Sequence, residues 1–466
     1  MKIQLSMLTS DWLIWALFIL VIIVAFALRR VMHVREAWRQ VLANRIGMIA
    51  ATILCFYAVV GLLDSIHFEV RYPEKAHSVM RVKSLFDFAL GELTEFDEQT
   101  YSAPLATHAY VQSVVTNEQG KDVRDYARLQ HGGVHLQDPS TRWLDIAWRV
   151  SLALGYGLLS FLIIATLFIF VWSRKNKRTF SRALKEILQG NTKVAWREVL
   201  ITFGIIWLYI FTLANLMSHY HIFGTDKVGH DVFYASIKSI RTGLLIGILT
   251  TVFILPFALV LGMVAGFFGG WVDDFIQYLY TTLSSIPGVL LISATILVMQ
   301  VYIASHPNLF PTLIQRADAR LIALCVVLGL TSWASLCRLL RAETLKLREL
   351  EFVQAARSLG VGKFKILFWH IMPNIMHIVI ITVVLDFSML VLAEAVLSYV
   401  GVGVDPTTYS WGNMINSSRL ELARDPMVWW PLLSAMFFMF MLVLAANLFS
   451  DAVRDALDPR IHNLAE

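Results

Sequence analysis

The sequence predicts an all-α polytopic membrane protein with about nine transmembrane helices. Of its 466 residues 57% are hydrophobic and only 16% charged, and the mean hydropathy is +0.63; soluble domains carry about 25% charged residues. Apolar runs of roughly 18 residues or more recur along the chain, the length a bilayer demands of a helix. An ionisable side chain at mid-bilayer costs about 2.5–3.5 kcal/mol, which accounts for the shortage of charge. The formal charge of +5 is therefore not a nucleic-acid signal, because the basic residues fall in particular loops.

The spans are expected near 12–28, 47–65, 150–172, 199–217, 242–266, 279–302, 321–338, 374–400 and 429–449. The link after the first holds Arg29, Arg30, Arg35, Arg39 and Arg45. The link after the third holds Arg174, Lys175, Lys177, Arg178, Arg182, Lys185, Lys193 and Arg197. The link after the seventh holds Arg338, Arg341, Lys346, Arg348, Arg357, Lys363 and Lys365. Alternate links share the excess, so the positive-inside rule puts the N-terminus outside and the C-terminus inside. The first span has no small-residue cleavage site before Arg29 and reads as a retained anchor.

Residues 66–148 make one sizeable outer loop of mixed charge, with Glu69, Glu74, Asp87, Glu92, Glu95, Asp97 and Glu98 against Arg71, Lys75, Arg81 and Lys83. Its length leaves little core for a separate domain. Residues 107–115 have strand character, and the two imidazoles of His131 and His135 are expected in a solvated turn. Cys55, Cys325 and Cys337 sit in or beside apolar segments without a CxxC pair, and read as small buried hydrophobes.

The most distinctive stretch is 351–374, EFVQAARSLGVGKFKILFWHIMPN. The chain from Ser335 onward is rich in helix formers and can leave the membrane as helix. Glu343 precedes Lys346 by three. Ala355 and Ala356 let another backbone approach. Gly360 and Gly362 permit the left-handed or tight conformation that ends one helix and redirects the next. Phe364, Leu367 and Phe368 then recur at helical spacing, and Pro373 suits the first turn of the following helix.

In this stretch Gln354, Ala355, Ala356, Gly360, His370, Met372 and Pro373 resemble the Glu-Ala-Ala, three residues, Gly, nine residues, Ile-x-Leu-Pro pattern of inner-membrane permease subunits of ABC importers. The likeness is to the second-permease type of the dipeptide/oligopeptide/nickel branch. In that family the loop is the segment that sits in a groove on the ATPase subunit; the alternative is a plain basic loop on lipid headgroups. Gln354 replaces the acid, so a salt bridge to an ATPase arginine would become a neutral hydrogen bond, and His370 replaces an aliphatic residue. Residues 224–233, GTDKVGHDVF, resemble the family's G-T-D-x-x-G-R-D-V signature at Gly224, Asp226, Gly229 and Asp231, with His230 for Arg. Asp226 and Asp231 flank a glycine turn and can cap the helix that follows, near the binding-protein dock. A metal site of Asp226, His230 and Asp231, with His219 and His221 nearby, is the weaker alternative, and no metal is expected.

Other features fit a pathway or plain packing. Gly262 and Gly266 form a GxxxG for close helix approach. Pro287 with Gly288 breaks the sixth span, as a kink or as part of a moving route. Asp386 and Glu394 lie in the apolar eighth span, about 12 Å apart along a helix, near Ser388 and Ser398. They are candidates for contact with substrate or for polar links between helices. Residues 450–460, SDAVRDALDPR, resemble the family's closing stretch, and Asp451, Arg454 and Asp455 are candidates to pair with the basic loop.

The sequence lacks G-x-x-x-x-G-K-[ST], H-E-x-x-H and G-x-S-x-G, so no enzymatic site of its own is expected. The resemblance covers 36–65 and 222–460. It implies an extra anchor at 1–35, a first core helix at 36–65, a periplasmic loop or small domain at 66–148, an inserted hairpin at 149–220 and a core at 221–466 with a coupling loop at 343–372. It implies a permease subunit of a bacterial inner-membrane importer of short peptides. Its partners would be a second permease subunit, two ATPase subunits and a periplasmic solute-binding protein, with ATP and Mg bound only in the ATPases. A nickel or other small-solute permease, and a proton-coupled secondary transporter using Asp386 and Glu394, are the alternatives.

Overall fold

The computed structural model describes residues 2–28, 32–71, 81–91, 98–116 and 122–457. Arg29, Arg30, Glu74, Lys75, Glu92, Glu95, Asp97 and the closing 458–460 of the C-terminal motif lie outside the described residues. In chain order the elements are β1 (Lys2–Leu5), α1 (Thr9–Leu28), α2 (Met32–Ala43), α3 (Arg45–Asp64), β2 (His67–Arg71), β3 (Arg81–Ser84), α4 (Leu85–Ala89), β4 (Ser113–Thr116) and β5 (Asp122–Asp125). There follow α5 (Arg142–Lys175), α6 (Phe180–Leu188), α7 (Trp196–Met217), α8 (Val232–Phe268), α9 (Gly270–Ser285), α10 (Gly288–Ser305) and α11 (Leu313–Arg348). The chain closes with α12 (Glu351–Ser358), α13 (Lys363–Ile366), α14 (Met372–Tyr399), α15 (Trp411–Ser418) and α16 (Trp430–Leu457).

Among the described residues eight helices are long and apolar enough to cross a bilayer, and a shorter apolar helix, Thr9–Ile23, lies within α1. This is the all-α polytopic architecture expected. The sixth span differs in its start. Instead of running from 279, it begins at Gly288, because Ile286 is extended (φ −88°, ψ 132°) ahead of Pro287. The proline ring disfavours helical backbone in the residue before it, so α9 ends there.

The first of two compact units comprises Met1–Met7, Phe26–Arg241 and Tyr409–Ala452. Here β1 pairs antiparallel with β2, and β2 with β3, in register Lys2↔Arg71 and His67↔Ser84. Residues before α1 and after α3 thus share one sheet. The strand expected over 107–115 starts only at Ser113, where β4 pairs with β5; His108 and Ala109 make isolated bridges to Arg128 and Ser102. The hairpin of α5 and α7 closes around small residues. A methyl on Gly204 would sit 2.8 Å from Phe161, and one on Gly157 3.1 Å from Phe211. Trp207 Nε1 donates to Ser160 Oγ across it at 3.0 Å. Amphipathic α6 buries Ala183 and Ile187 against Phe168, Trp172, Trp196 and Leu200.

The second unit comprises Leu8–Ala25, Thr242–Thr408 and Val453–Glu466. Its centre is the contact of α8 with α11. A methyl on Gly262 would lie 2.8 Å from the Cys337 carbonyl oxygen, and one on Gly266 2.6 Å from Thr344 Cβ. The GxxxG spacing therefore does bring two backbones together. On α1, Leu13, Ile14 and Leu17 pack against the cluster of Leu245, Leu249, Leu321 and Leu324. At the start of that helix Thr9 Oγ1 and the Ser10 amide donate to Asp318, and Arg320 pairs with Asp405 at 2.7 Å. These contacts bring the start of α1 to the start of α11, and the start of α11 to the segment after α14. Cys325 and Cys337 are buried free thiols; Cys55, in the first unit, is exposed instead.

Candidate coupling segment and signature loop

Helix α12 is short because its sequence stops it at Gly360. Its C-terminus is a Schellman turn. The Val361 amide donates to the Ala356 carbonyl and the Gly360 amide to that of Arg357, both at 3.1 Å. The turn needs a left-handed residue, and Gly360 has φ +77° with open space around it. Val353 and Ala356 face inward with Ile366, Leu367 and Ile371. Glu351, Phe352, Gln354, Ala355, Leu359, Phe364 and Phe368 are exposed. Of the two alanines, Ala355 is therefore free for close approach by another backbone, while Ala356 is packed within the chain. Leu367, expected beside Phe364 and Phe368, turns inward at 1% exposure. Gln354 Nε2 donates to the Glu349 carbonyl at 3.0 Å, closing a free carbonyl at the end of α11. A carboxylate has no proton for that bond.

Pro373 stands within one continuous helix, Lys363–Tyr399. It has no N–H, and the backbone adapts by a π turn over Leu367–Ile371, in which the Met372 amide reaches the Leu367 carbonyl. Asn374 Nδ2 donates to the His370 carbonyl at 2.6 Å. His370 is half-buried and Pro373 exposed. The platform beneath is fixed by charge. Arg341 grips Asp273 with both arms, at 2.5 and 2.7 Å, and the guanidinium holds the Asp273 carboxyl below its usual range. Arg348 Nη1 reaches the Gly266 and Phe267 carbonyls at the end of α8, each at 3.4 Å, where the helix dipole favours a cation. Lys346 pairs with Glu343 at 3.2 Å. Asp451, Arg454 and Asp455 are exposed on α16.

The signature loop is built around three acids and a histidine. Asp231 Oδ1 accepts the Tyr234 amide at 2.8 Å and caps α8, a 37-residue helix. Asp226 Oδ1 accepts the amides of Val228 and His230, closing the turn whose Gly229 has φ +91°. The opposite oxygen of Asp231 meets His221 Nδ1 at 2.7 Å, and Glu98 lies 3.4 Å from His221 Nε2. Burial alone would lower the His221 pKa, but the hydrogen bonds and charges of Asp231 and Glu98 outweigh it and push it up to about 9. Burial likewise opposes ionisation of Glu98, which His221 and the amides of Gln130 and His131 hold below its usual range.

Both signature glycines lie under the backbone of Glu98 and Ser102. A methyl on Gly229 would be 1.8 Å from the Glu98 carbonyl oxygen, and one on Gly224 (φ +68°) 2.2 Å from that of Ser102. Thr225 Oγ1 accepts the Ser102 amide at 2.6 Å, and Trp430 Nε1 donates to the Thr225 carbonyl at 2.9 Å. The solvated turn expected for His131 and His135 holds for His135, which is exposed, and fails for His131, which is buried. His131, Gly132 and Gly133 are buried, His131 Nε2 lies 3.0 Å from the Met217 carbonyl, and His135 pairs with Asp145 at 2.8 Å. Local pattern does not foretell the burial of His131 because its partner, the Met217 carbonyl, lies 86 residues away. The described residues contain no cluster that could hold a metal ion.

In α14, Glu394 is buried and accepts from Ser398 Oγ at 2.7 Å. Asp386 is half-buried and pairs with no cation among the described residues. Pro287 is the exposed N-cap of α10.

Residues 258–463 match the family described as binding-protein-dependent transport system inner membrane component. The dipeptide transport system permease protein DppC of Alkalihalophilus pseudofirmus is 32% identical over 241 residues, covering 52% of this chain and 72% of that protein. The glutathione transport system permease protein GsiD of Pectobacterium atrosepticum is 31% identical, covering 52% and 73%. The oligopeptide transport system permease protein OppC of Mycobacterium bovis is 30% identical, covering 52% and 77%. With its crossing helices, its glycine-stopped surface helix and these relatives, the chain belongs to the inner-membrane permease components of binding-protein-dependent ABC transport systems.

Proposed function

We propose that the chain is the permease subunit of an ATP-driven importer of short peptides in a bacterial inner membrane. The peptide cargo rests on the relatives named for dipeptide, oligopeptide and glutathione transport. The observation that supports the mechanism is the surface of α12 and α13. Exposed Phe352, Ala355, Leu359 and Phe364 stand on a buried base of Val353, Ala356, Ile366 and Leu367. A push on such a surface passes into α11 and α14 without being absorbed by a loop. The chain lacks a phosphate-binding glycine loop, so ATP and Mg belong to separate ATPase subunits, two in number, docked at 343–372. A second permease subunit and a periplasmic solute-binding protein complete the assembly. The basic links set the N-terminus in the periplasm and the C-terminus in the cytoplasm.

Substrate and binding protein switch access only by favouring one state of the pathway over the other. Asp386 is the candidate to meet a peptide ammonium group. The test is uptake of a labelled tripeptide by vesicles holding the whole assembly. ATP inside should drive it and a pH gradient alone should not. Uptake driven by the gradient without ATP would replace this reading with proton-coupled transport through Asp386 and Glu394.

A further inference from the structure

The turn of the inserted hairpin is strongly charged. Residues 174–197 contain eight cations and one acid, Glu186. Arg178 and Arg182 share Glu186, and Arg197 turns to Glu198 at 2.8 Å, which Arg45 also approaches at 3.6 Å. Lys175, Lys177, Lys185 and Lys193 are exposed and meet no carboxylate among the described residues. The turn is also tied down. Ala183 and Ile187 anchor α6, and the Ala195 amide donates to the Leu42 carbonyl at 2.9 Å.

Helix α6 has the pattern of a helix lying in a membrane surface. Its apolar stripe is only half used by the protein, since Phe180 and Leu188 remain exposed beside buried Ala183 and Ile187. Arg182 and Lys185 occupy the other side. Lysines at such a boundary reach the headgroups while their stems cover apolar surface. The ends of α5 and α7 on either side set this turn at the edge of the hydrocarbon.

We propose that this turn is a binding surface for anionic phospholipid, with Lys177, Lys185 and Lys193 as its phosphate contacts. It anchors the inserted hairpin to the leaflet it faces. The inference does not rest on peptide transport or on ATPase docking. Each cation near an anionic surface contributes about a fivefold preference, so the three together outweigh exchange with neutral lipid.

The test uses the full chain in mixed phosphatidylglycerol/phosphatidylcholine nanodiscs, with retained lipids counted by native mass spectrometry after transfer to detergent. The wild-type chain should retain phosphatidylglycerol at least about tenfold over phosphatidylcholine. The K177Q/K185Q/K193Q variant should fall to near parity, and the K177R/K185R/K193R variant should keep the preference. Inorganic phosphate, at ionic strength matched with chloride, should not displace the lipid. Parity in the wild type, or a preference unchanged in the glutamine variant, overturns the proposal. Displacement by inorganic phosphate overturns it in favour of a free-anion site. A glutamine variant that keeps the lipid but loses a partner ATPase overturns it in favour of a protein contact.

Discussion

The imidazole of His221 and the carboxylate of Asp231 lie 2.7 Å apart with both side chains withdrawn from solvent. Glu98 approaches the other ring nitrogen, so one histidine joins the segment at Glu98 to the start of α8. Because the His221 pKa is raised to about 9 from an unfolded value of about 6.5, its contribution is complete below the lower value. It is lost as pH rises through the upper one. The depressed Glu98 pKa adds a contribution lost toward acid. The linkage amounts to about 3 kcal/mol. The melting temperature of the chain should hold near pH 6 and fall steadily from pH 7 to 9. His221→Gln should lower it at pH 6 and flatten that slope.

Gly229 permits the insertion to pass over the signature loop. Its φ is +91°, and a side chain there would meet the Glu98 backbone. Gly229→Ala should cost at least about 3 kcal/mol, combining strain with a clash against backbone. Tryptic cleavage after Arg124 and Arg128 should accelerate at least tenfold. An unchanged rate would mean that the insertion is not held by this contact.

The α8–α11 contact is tight, whereas Gly155 on α5 faces open space. Gly266→Leu forces atoms into the space of Thr344 and the Arg341 carbonyl, and should destabilise by about 1–3 kcal/mol or more. Gly155 has nothing within 4 Å, so Gly155→Ala should be neutral or stabilise by up to about 1 kcal/mol. Thermal melts of the two variants in one detergent make the comparison.

The crossing helices were legible because lipid leaves few ways to satisfy a backbone and imposes a length. The end of α12 was legible at Gly360, where a local turn needs a local residue. What escaped was non-local. The strand Lys2–Leu5 finds its partner at Phe68–Arg71, far along the chain, and four residues carry no periodicity. His131 reads as solvated because its partner, the Met217 carbonyl, lies 86 residues away. Leu367 turns inward to pack with Ile366 and Ile371 in the buried base, a tertiary contact that helical spacing alone does not contain.

The central claim is that the exposed face of α12 and α13 receives a separate ATPase. Ala355→Arg and Phe364→Glu alter that face without entering the buried base formed by Val353 and Ala356. The measurement is the amount of ATPase subunit retained when the tagged chain is purified from membranes, with melting temperature as the control for folding. The account predicts that each variant melts like the wild type and loses at least about tenfold of the ATPase, a change of about 1.4 kcal/mol or more in the docking equilibrium. Full retention of the ATPase by both variants would contradict it.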